Sequence, residues 1–200
     1  MDELKRRILT EAVVGEGDII HVDMFLNHRL DTDLFVKMGQ AFAQEFAQEK
    51  PDLVLTVEAS GIAAALTTAM DSAAQALREE FSPLRFQTPA LPLYANVTGD
   101  VYESRVFSFT HGVENHIRVA KDYLPKGARV LIIDDFLANG EAAEGLCDLV
   151  RQAGATVVGI GICVEKSFQP GHQKLAQEGY HVVSLARVTA IRDGKLIVED

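Results

Sequence analysis

The amino-acid sequence predicts an α/β fold built on a mainly parallel sheet. Residues 130–133 and 156–164 are apolar runs typical of buried strands, and residues 142–153 between them have the spacing of a helix. A strand, a helix and a second strand in this order form neighbouring parallel strands. Upstream, residues 53–57 and the Ala-rich residues 62–80 repeat the succession of strand and helix. The composition, 48% hydrophobic and 24% charged, is that of an ordinary globular domain.

The elements before residue 53 follow from helical spacing. Apolar residues recur three to four positions apart over residues 3–13, which predicts an amphipathic helix, and residues 19–22 are compatible with a short strand. A second helix begins near Asp31 or Asp33, because either side chain can accept hydrogen bonds from a first helical turn. Its apolar face carries Leu34, Met38, Phe42 and Phe46.

The second half of the chain contains shorter elements. Between the helix at 62–80 and the strand at 130–133, the sequence predicts strands over 89–94 and 105–109, with a polar loop over 95–104. After residue 165, it predicts a turn over 166–171, a short helix over 172–178, and a strand pair over 181–188 and 195–198 around Asp193-Gly194. At 200 residues we expect one domain, with a core of about 31–165 and a small hood from about 1–30 and 166–200.

Charge and hydropathy exclude several classes of partner. The net charge is −10, and the longest basic run is Lys5-Arg6-Arg7, so the basic face that a nucleic acid requires is missing. The N-terminal sequence contains no signal-peptide core, and no apolar run is long enough to span a bilayer, so we expect no membrane partner. Cys147 and Cys163 occur in a helical and a strand pattern, and we interpret both as buried thiols of a cytoplasmic protein.

Two adjacent carboxylates, Asp134 and Asp135, follow the strand at 130–133. Ligands of parallel sheets bind outside the carboxyl ends of the strands, and a ribose offers two neighbouring hydroxyl donors to such a pair. Residues 136–140 then form a loop into a helix, whose free N–H groups suit a phosphate. The pattern thus predicts a ribose-phosphate site. Paired acids also bind Mg²⁺ in phospho-acceptor domains or cap a helix, so the pattern alone leaves these alternatives open.

Five stretches together resemble the type I phosphoribosyltransferases, and most closely those that act on xanthine. These stretches are VDMFLNHRLD at 22–31, ASGIA at 59–63, VFSFT at 106–110, IIDDFLANGEA at 132–142 and GIGICVEKSFQPG at 159–171. They occur in the family's order and are spread over residues 22–171, which is most of the chain. The resemblance implies a twisted, mainly parallel sheet with helices on both faces and a small hood.

The resemblance also implies a site for 5-phosphoribosyl-1-pyrophosphate (PRPP). The catalytic residues would be Asp134 and Asp135, which position the ribose. The loop residues expected to bind the 5′-phosphate are Ala138, Asn139, Gly140, Glu141 and Ala142. Ser60 and Gly61 would bind the pyrophosphate through backbone amides.

A second set of residues is implied for the purine. This set is Ile20, Asn27, Lys166 and Phe168. An Asn can donate to and accept from a base edge, and a Lys ammonium can bind the exocyclic oxygen of an oxopurine. Phe168 could stack on the base, as could Phe25, although either could equally pack in the hood. We assign Met24 to the core.

The implied activity is purine salvage, in which ribose 5-phosphate passes from PRPP to xanthine and gives XMP and pyrophosphate. Mg²⁺ would accompany PRPP and pyrophosphate without a dedicated protein site, and the enzyme would be a homodimer. The alternatives are hypoxanthine, guanine or adenine as the acceptor, or a non-catalytic sensor of PRPP or nucleotides. The sequence departs from the family in one place, because residues 94–104 contain no Lys or Arg to bind pyrophosphate. Arg85 and Arg105 do not stand at the positions where the family has these basic residues.

Overall fold

The computed structural model describes residues 1–26, 30–57, 60–79, 100–108 and 113–199. The predicted strand at 89–94 lies outside these ranges, as does Asn27. The helices are α1 (Asp2–Glu11), α2 (Thr32–Glu45), α3 (Ile62–Glu79), α4 (Glu141–Gln152) and α5 (Gly171–Gln177). The strands are β1 (Val13–Val14), β2 (Ile20–His21), β3 (Leu53–Leu55), β4 (Val101–Ser108), β5 (Val113–Ala120), β6 (Arg129–Leu137), β7 (Thr156–Lys166), β8 (Val182–Arg192) and β9 (Lys195–Val198).

The central sheet has the strand order β3-β6-β7-β8-β9. Its first four strands are parallel and β9 is antiparallel, which confirms the mainly parallel α/β fold. β8 pairs with β7 from Ile160–Val182 to Lys166–Val188. The C-terminal strands, which we expected to form part of a hood, are therefore continuous with the central sheet.

Both faces of this sheet are covered by helices, as the resemblance implies. On one face α2 contributes the predicted apolar stripe, and Phe42 and Phe46 are almost fully buried. Two glycines of β7 make room for these rings, because a Cβ at Gly159 would overlap Phe46 and one at Gly161 would lie 2.8 Å from Phe42. The other face is covered by α4 and α5. Within the described ranges, no helix is long and apolar enough to cross a membrane.

α2 begins at Thr32, directly after Asp31, which is one of the two capping residues that the sequence predicts. The Leu34 N–H donates to Asp31 Oδ1 at 3.2 Å, which is the hydrogen bond of an N-cap. Arg7 of α1 donates to the other carboxylate oxygen at 2.6 Å. These bonds hold the pKa of Asp31 below its usual value, with the Arg7 bond as the largest cause. The cap thus also fixes α1 against the start of α2.

β4 and β5 form an antiparallel hairpin that packs on α4. The expected polar loop over 95–104 is wrong for its described end, because β4 already begins at Val101. β5 was not predicted, since its exposed face is polar. His116 and Arg118 of β5 donate hydrogen bonds across the hairpin to Glu103 of β4. The packing on α4 requires a glycine, because a Cβ at Gly145 would overlap Val106.

Candidate active site

The candidate site lies at the carboxyl end of β6. The prediction that this strand ends at Ile133 is wrong, because β6 continues to Leu137. Its pairing with β7 extends from Arg129–Thr156 to Leu137–Glu165, so both aspartates lie within a hydrogen-bonded strand. The sheet backbone therefore fixes their positions more firmly than a loop would.

Asp134 and Asp135 form a buried pair of like charge. They are 4% and 9% exposed, and the Asp135 N–H donates to Asp134 Oδ1 at 3.0 Å. Burial raises the pKa of Asp134 well above its usual value, and the adjacent Asp135 raises it further. Hydroxyl donors or a cation would relieve this repulsion. The donor set fits both a ribose diol and Mg²⁺, which prefers hard oxygen ligands.

The loop after β6 leads into α4 at Glu141, as predicted. Gly140 stands at the N-cap with φ of +100°, a conformation that favours glycine. It supplies no side-chain cap, so the first N–H groups of α4 are available to an anion. Glu144, whose charge would oppose a phosphate, lies 3.9 Å from Lys174 Nζ. The predicted phosphate residues thus lie directly beyond the two aspartates.

The segment after β3 reaches the same place. Ser60 and Gly61 form a turn at the start of α3, and Gly61 is buried. A Cβ at Gly61 would overlap Thr56 Oγ1 and would lie 3.4 Å from Asp134 Oδ1. The overlap with Thr56 excludes a side chain at position 61. The structure therefore brings the predicted pyrophosphate segment beside the predicted ribose carboxylate.

The predicted purine residues divide into two groups. Lys166 is the last residue of β7 and is half-buried, while Phe168, two residues later, is 40% exposed. Ile20 is 6% exposed and belongs to the main core. Asn27 lies outside the described residues. Lys166 and Phe168 are thus placed at the same edge of the sheet as the aspartates.

Four further residues singled out in the sequence are Phe25, Met24, Arg105 and Arg85. Phe25 is fully buried beneath the Arg7 guanidinium, so its core interpretation is confirmed. Met24 is 56% exposed, and its assignment to the core is wrong. Arg105 lies on the hairpin, exposed and 3.6 Å from Glu114, and Arg85 lies outside the described residues.

Both cysteines are buried free thiols, as expected. Burial raises the pKa of Cys147 to about 11 and raises that of Cys163 as well. The two thiols are therefore protonated at neutral pH and are poor nucleophiles.

Sequence reasoning missed two residues beside the site. Glu165 precedes Lys166, and its carboxylate is 1% exposed, which makes it the most buried acid among the described residues. Gly171 donates its N–H to the Ala138 carbonyl at 3.0 Å and so contacts the phosphate loop. An acid at the end of the apolar run 156–164 was the available signal for Glu165. Gly171 carried none, since the contact joins segments distant in sequence.

Comparison with known proteins gives a consistent result. The model of the phosphoribosyl transferase domain matches residues 30–185. The chain is 45% identical to a xanthine phosphoribosyltransferase of Laribacter hongkongensis and 46% identical to a xanthine phosphoribosyltransferase 1 of Clostridium perfringens, each over 98% of both chains. A crystal structure of adenine phosphoribosyl transferase from Trypanosoma brucei superposes with a TM-score of 0.71 at 16% identity, covering 96% of this chain and 82% of that one, and shows the shared fold.

The domain match covers more than half of the chain, and the full-length relatives share over 40% of its residues. Both agree with the family that the five sequence stretches indicate. The chain therefore belongs to the phosphoribosyltransferase family.

Proposed function

We propose that the protein transfers ribose 5-phosphate from PRPP to N9 of xanthine, giving XMP and pyrophosphate. The observation that carries this proposal is the buried Asp134–Asp135 pair directly before the loop into α4. The names of the full-length relatives support xanthine as the acceptor. The adenine phosphoribosyl transferase structure shares the fold at only 16% identity, so it says nothing of the base.

The reaction needs no covalent enzyme intermediate. The bond from C1 of the ribose to pyrophosphate breaks and a bond to N9 forms, while the sugar acquires oxocarbenium character. Pyrophosphate leaves with the electron pair of the broken bond, and the imidazole proton that xanthine loses passes to solvent water. Asp134 and Asp135 would accept hydrogen bonds from the ribose hydroxyls and stabilise this positive charge. The N–H groups at the start of α4 would hold the 5′-phosphate. The ribose is thus fixed at both ends, with C1 directed towards the base.

The leaving pyrophosphate is the most highly charged part of the substrate. Ser60 and Gly61 would bind it with backbone amides beside Asp134. Mg²⁺ bound to the pyrophosphate would neutralise part of its charge and of the carboxylate pair. This supply of charge suits a chain that lacks basic residues over 94–104.

The base would bind across the end of β7. Lys166 would bind an exocyclic oxygen of xanthine, and the exposed ring of Phe168 would stack on its face. Asn27 and Ile20 complete the proposed purine set. Adenine has no such oxygen, so Lys166 would disfavour it. We further propose a cytoplasmic homodimer, in line with the two free thiols and with the resemblance.

The test is a panel of acceptors. The protein is incubated with Mg²⁺, PRPP and each of xanthine, hypoxanthine, guanine and adenine, and nucleoside monophosphates are resolved by chromatography. We expect XMP to form fastest. Faster product from adenine would refute the proposed base, whereas binding of PRPP without any product would favour a sensor over an enzyme.

A further inference from the structure

The Glu165 carboxylate is nearly inaccessible to solvent, yet it is fully satisfied. Oε1 accepts hydrogen bonds from Ser167 Oγ at 2.7 Å and from Arg187 Nε at 3.2 Å. Oε2 accepts from Ser184 Oγ at 2.6 Å and from His172 Nδ1 at 2.8 Å. Burial alone would raise the pKa of Glu165, but the bonds from Ser184, Ser167 and His172 outweigh it and hold the pKa below its usual value. Glu165 is therefore a buried anion with four donors.

Two of these donors lie at opposite ends of one short segment. Ser167 begins the turn that carries Phe168 and follows Lys166, and His172 lies in the first turn of α5. The other two donors, Ser184 and Arg187, come from β8. Glu165 thus fastens both ends of the segment 167–172 to the central sheet.

The same segment also contacts the phosphate loop. Gly171 is adjacent to His172, and its N–H donates to the Ala138 carbonyl. A Cβ at Gly171 would overlap that oxygen and lie 2.9 Å from Gly140 N. A shift of His172 would consequently move the backbone that faces the phosphate loop, because no free space separates the two segments.

We propose that Glu165 is a positioning residue that sets the geometry of both halves of the substrate site. Through Ser167 it would orient Lys166 and Phe168 towards the base, and through His172 and Gly171 it would fix the loop at 138–140. This inference rests on the proposed function. It adds that the base site and the 5′-phosphate site share one buried anchor.

The direct test is Glu165→Gln, which keeps the size and removes the charge. Each carboxylate oxygen faces two donors, so the new NH₂ group would oppose donors in either orientation. We would titrate the folded variant by calorimetry with ribose 5-phosphate, which reaches only the phosphate side, and with XMP, which spans both sides. We expect the Kd of ribose 5-phosphate to rise about tenfold and the Kd of XMP to rise by a larger factor.

The matched control is Ser184→Ala. It removes one hydrogen bond from the same carboxylate, but Ser184 lies on β8 and has no bond to the segment 167–172 among the described contacts. We expect a lower melting temperature with unchanged Kd values for both ligands. If Glu165→Gln behaves in the same way, Glu165 only stabilises the fold and the inference is wrong. Equal factors for the two ligands would also overturn it, because the base side would then be independent.

A second variant covers the case in which Glu165→Gln does not fold. His172 is partly exposed, so His172→Ala should fold while breaking only the connection to α5. We expect weaker binding of ribose 5-phosphate and the same factor for XMP. Unchanged binding of ribose 5-phosphate would disprove the link to the phosphate loop.

The failure of this inference can be told from failure of the proposed function. If the unmodified protein binds neither ligand, the proposed function and the proposed role of Glu165 are both refuted. If it binds both ligands but forms no product, the transfer reaction is refuted, and the Kd values of the variants still decide the role of Glu165.

Discussion

Asp134 and Asp135 would serve the function of the protein, but their burial side by side lowers the stability of the fold. Two adjacent carboxylates at 4% and 9% exposure repel each other and have lost most of their hydration. Nothing in the packing of β6 requires acids there, since the preceding residues of the strand are apolar. The pair is best explained by the ligand that it would bind. Removal of one charge should then stabilise the protein while it damages activity.

Asp134→Asn tests the stability side. Folding raises the pKa of Asp134 above its unfolded value of about 3.9. The stability that Asp134 contributes is therefore fully present at pH values below the unfolded pKa, and it is lost as pH rises through the folded pKa. We expect the variant to melt about 2–4 °C higher at neutral pH, equivalent to roughly 1 kcal/mol, and this gain to vanish near pH 4.

Thermal unfolding followed by circular dichroism across this pH range provides the measurement. Asp193→Asn, in an exposed turn with a positive φ that Asn tolerates, is the control and should show no such gain. A lower melting point for Asp134→Asn at every pH would mean that the pair is not a source of repulsion.

Asp135→Asn and Lys166→Ala should separate turnover from base choice. The first removes a carboxylate from the ribose, so we expect kcat to decrease with every base, by roughly 10²-fold or more. The second removes the cation proposed at the exocyclic oxygen, so we expect the kcat/KM ratio of xanthine over adenine to decrease. Steady-state kinetics with several bases measures both. A uniform loss for Lys166→Ala would place Lys166 away from the base.

Among the helices and strands, the sequence predicted those whose burial produces a regular or continuous pattern of apolar residues. The unit β6-α4-β7 was predicted because both strands are buried on two faces and read as continuous apolar runs. The end of β6 was misjudged because its last residues include the two acids, which interrupt the apolar pattern but not the pairing with β7. β5 was missed because cross-strand charge pairs, which no local pattern reveals, stabilise its exposed face.

The contact between α5 and the phosphate loop leads to a prediction about Gly171→Ala. The added methyl group would overlap the Ala138 carbonyl, so the loop must shift at a cost of about 1–3 kcal/mol. We expect the KM for PRPP to rise more than the KM for xanthine. Initial rates with each substrate varied in turn measure this difference.

Gly159→Ala provides the matched control for this element. Its methyl group would be equally crowded, but against Phe46 in the core between β7 and α2. We expect a comparable loss of melting temperature with both KM values unchanged. If Gly171→Ala also leaves the KM for PRPP unchanged, the contact has no influence on phosphate binding.

For the whole molecule, the net charge has the same sign as the proposed ligand, so binding would depend on a few groups within the site. A chain of net charge −10 would bind the anionic PRPP through a few oriented N–H groups and an accompanying cation. The sequence predicted the parallel strand β6 that carries the two aspartates of the proposed site. It could not predict the hydrogen bonds that His172 and Ser184 donate to Glu165, because this network depends on the packing of β8 beside β7.

The proposed homodimer can be tested on α3. Leu66 and Met70 lie one turn apart on this helix and are 40% and 58% exposed, so they form an apolar strip that a second copy could cover. We expect light scattering to show a dimer and Met70→Glu to shift it towards monomer. Leu9→Glu, which changes an exposed apolar residue of α1, should leave the dimer intact. A monomeric unmodified protein would contradict the proposal.

Transfer from PRPP at the carboxyl end of β6 can be followed by phosphorus NMR of a single reaction. PRPP, Mg²⁺, xanthine and the protein are mixed, and the signals of the donor, pyrophosphate and nucleotide are followed together. We expect pyrophosphate and XMP to appear in equal amounts, and only when base and Mg²⁺ are both present. We expect the double variant Asp134→Asn with Asp135→Asn to abolish both signals. Pyrophosphate released without nucleotide, or an unchanged rate in the double variant, would contradict transfer at this site.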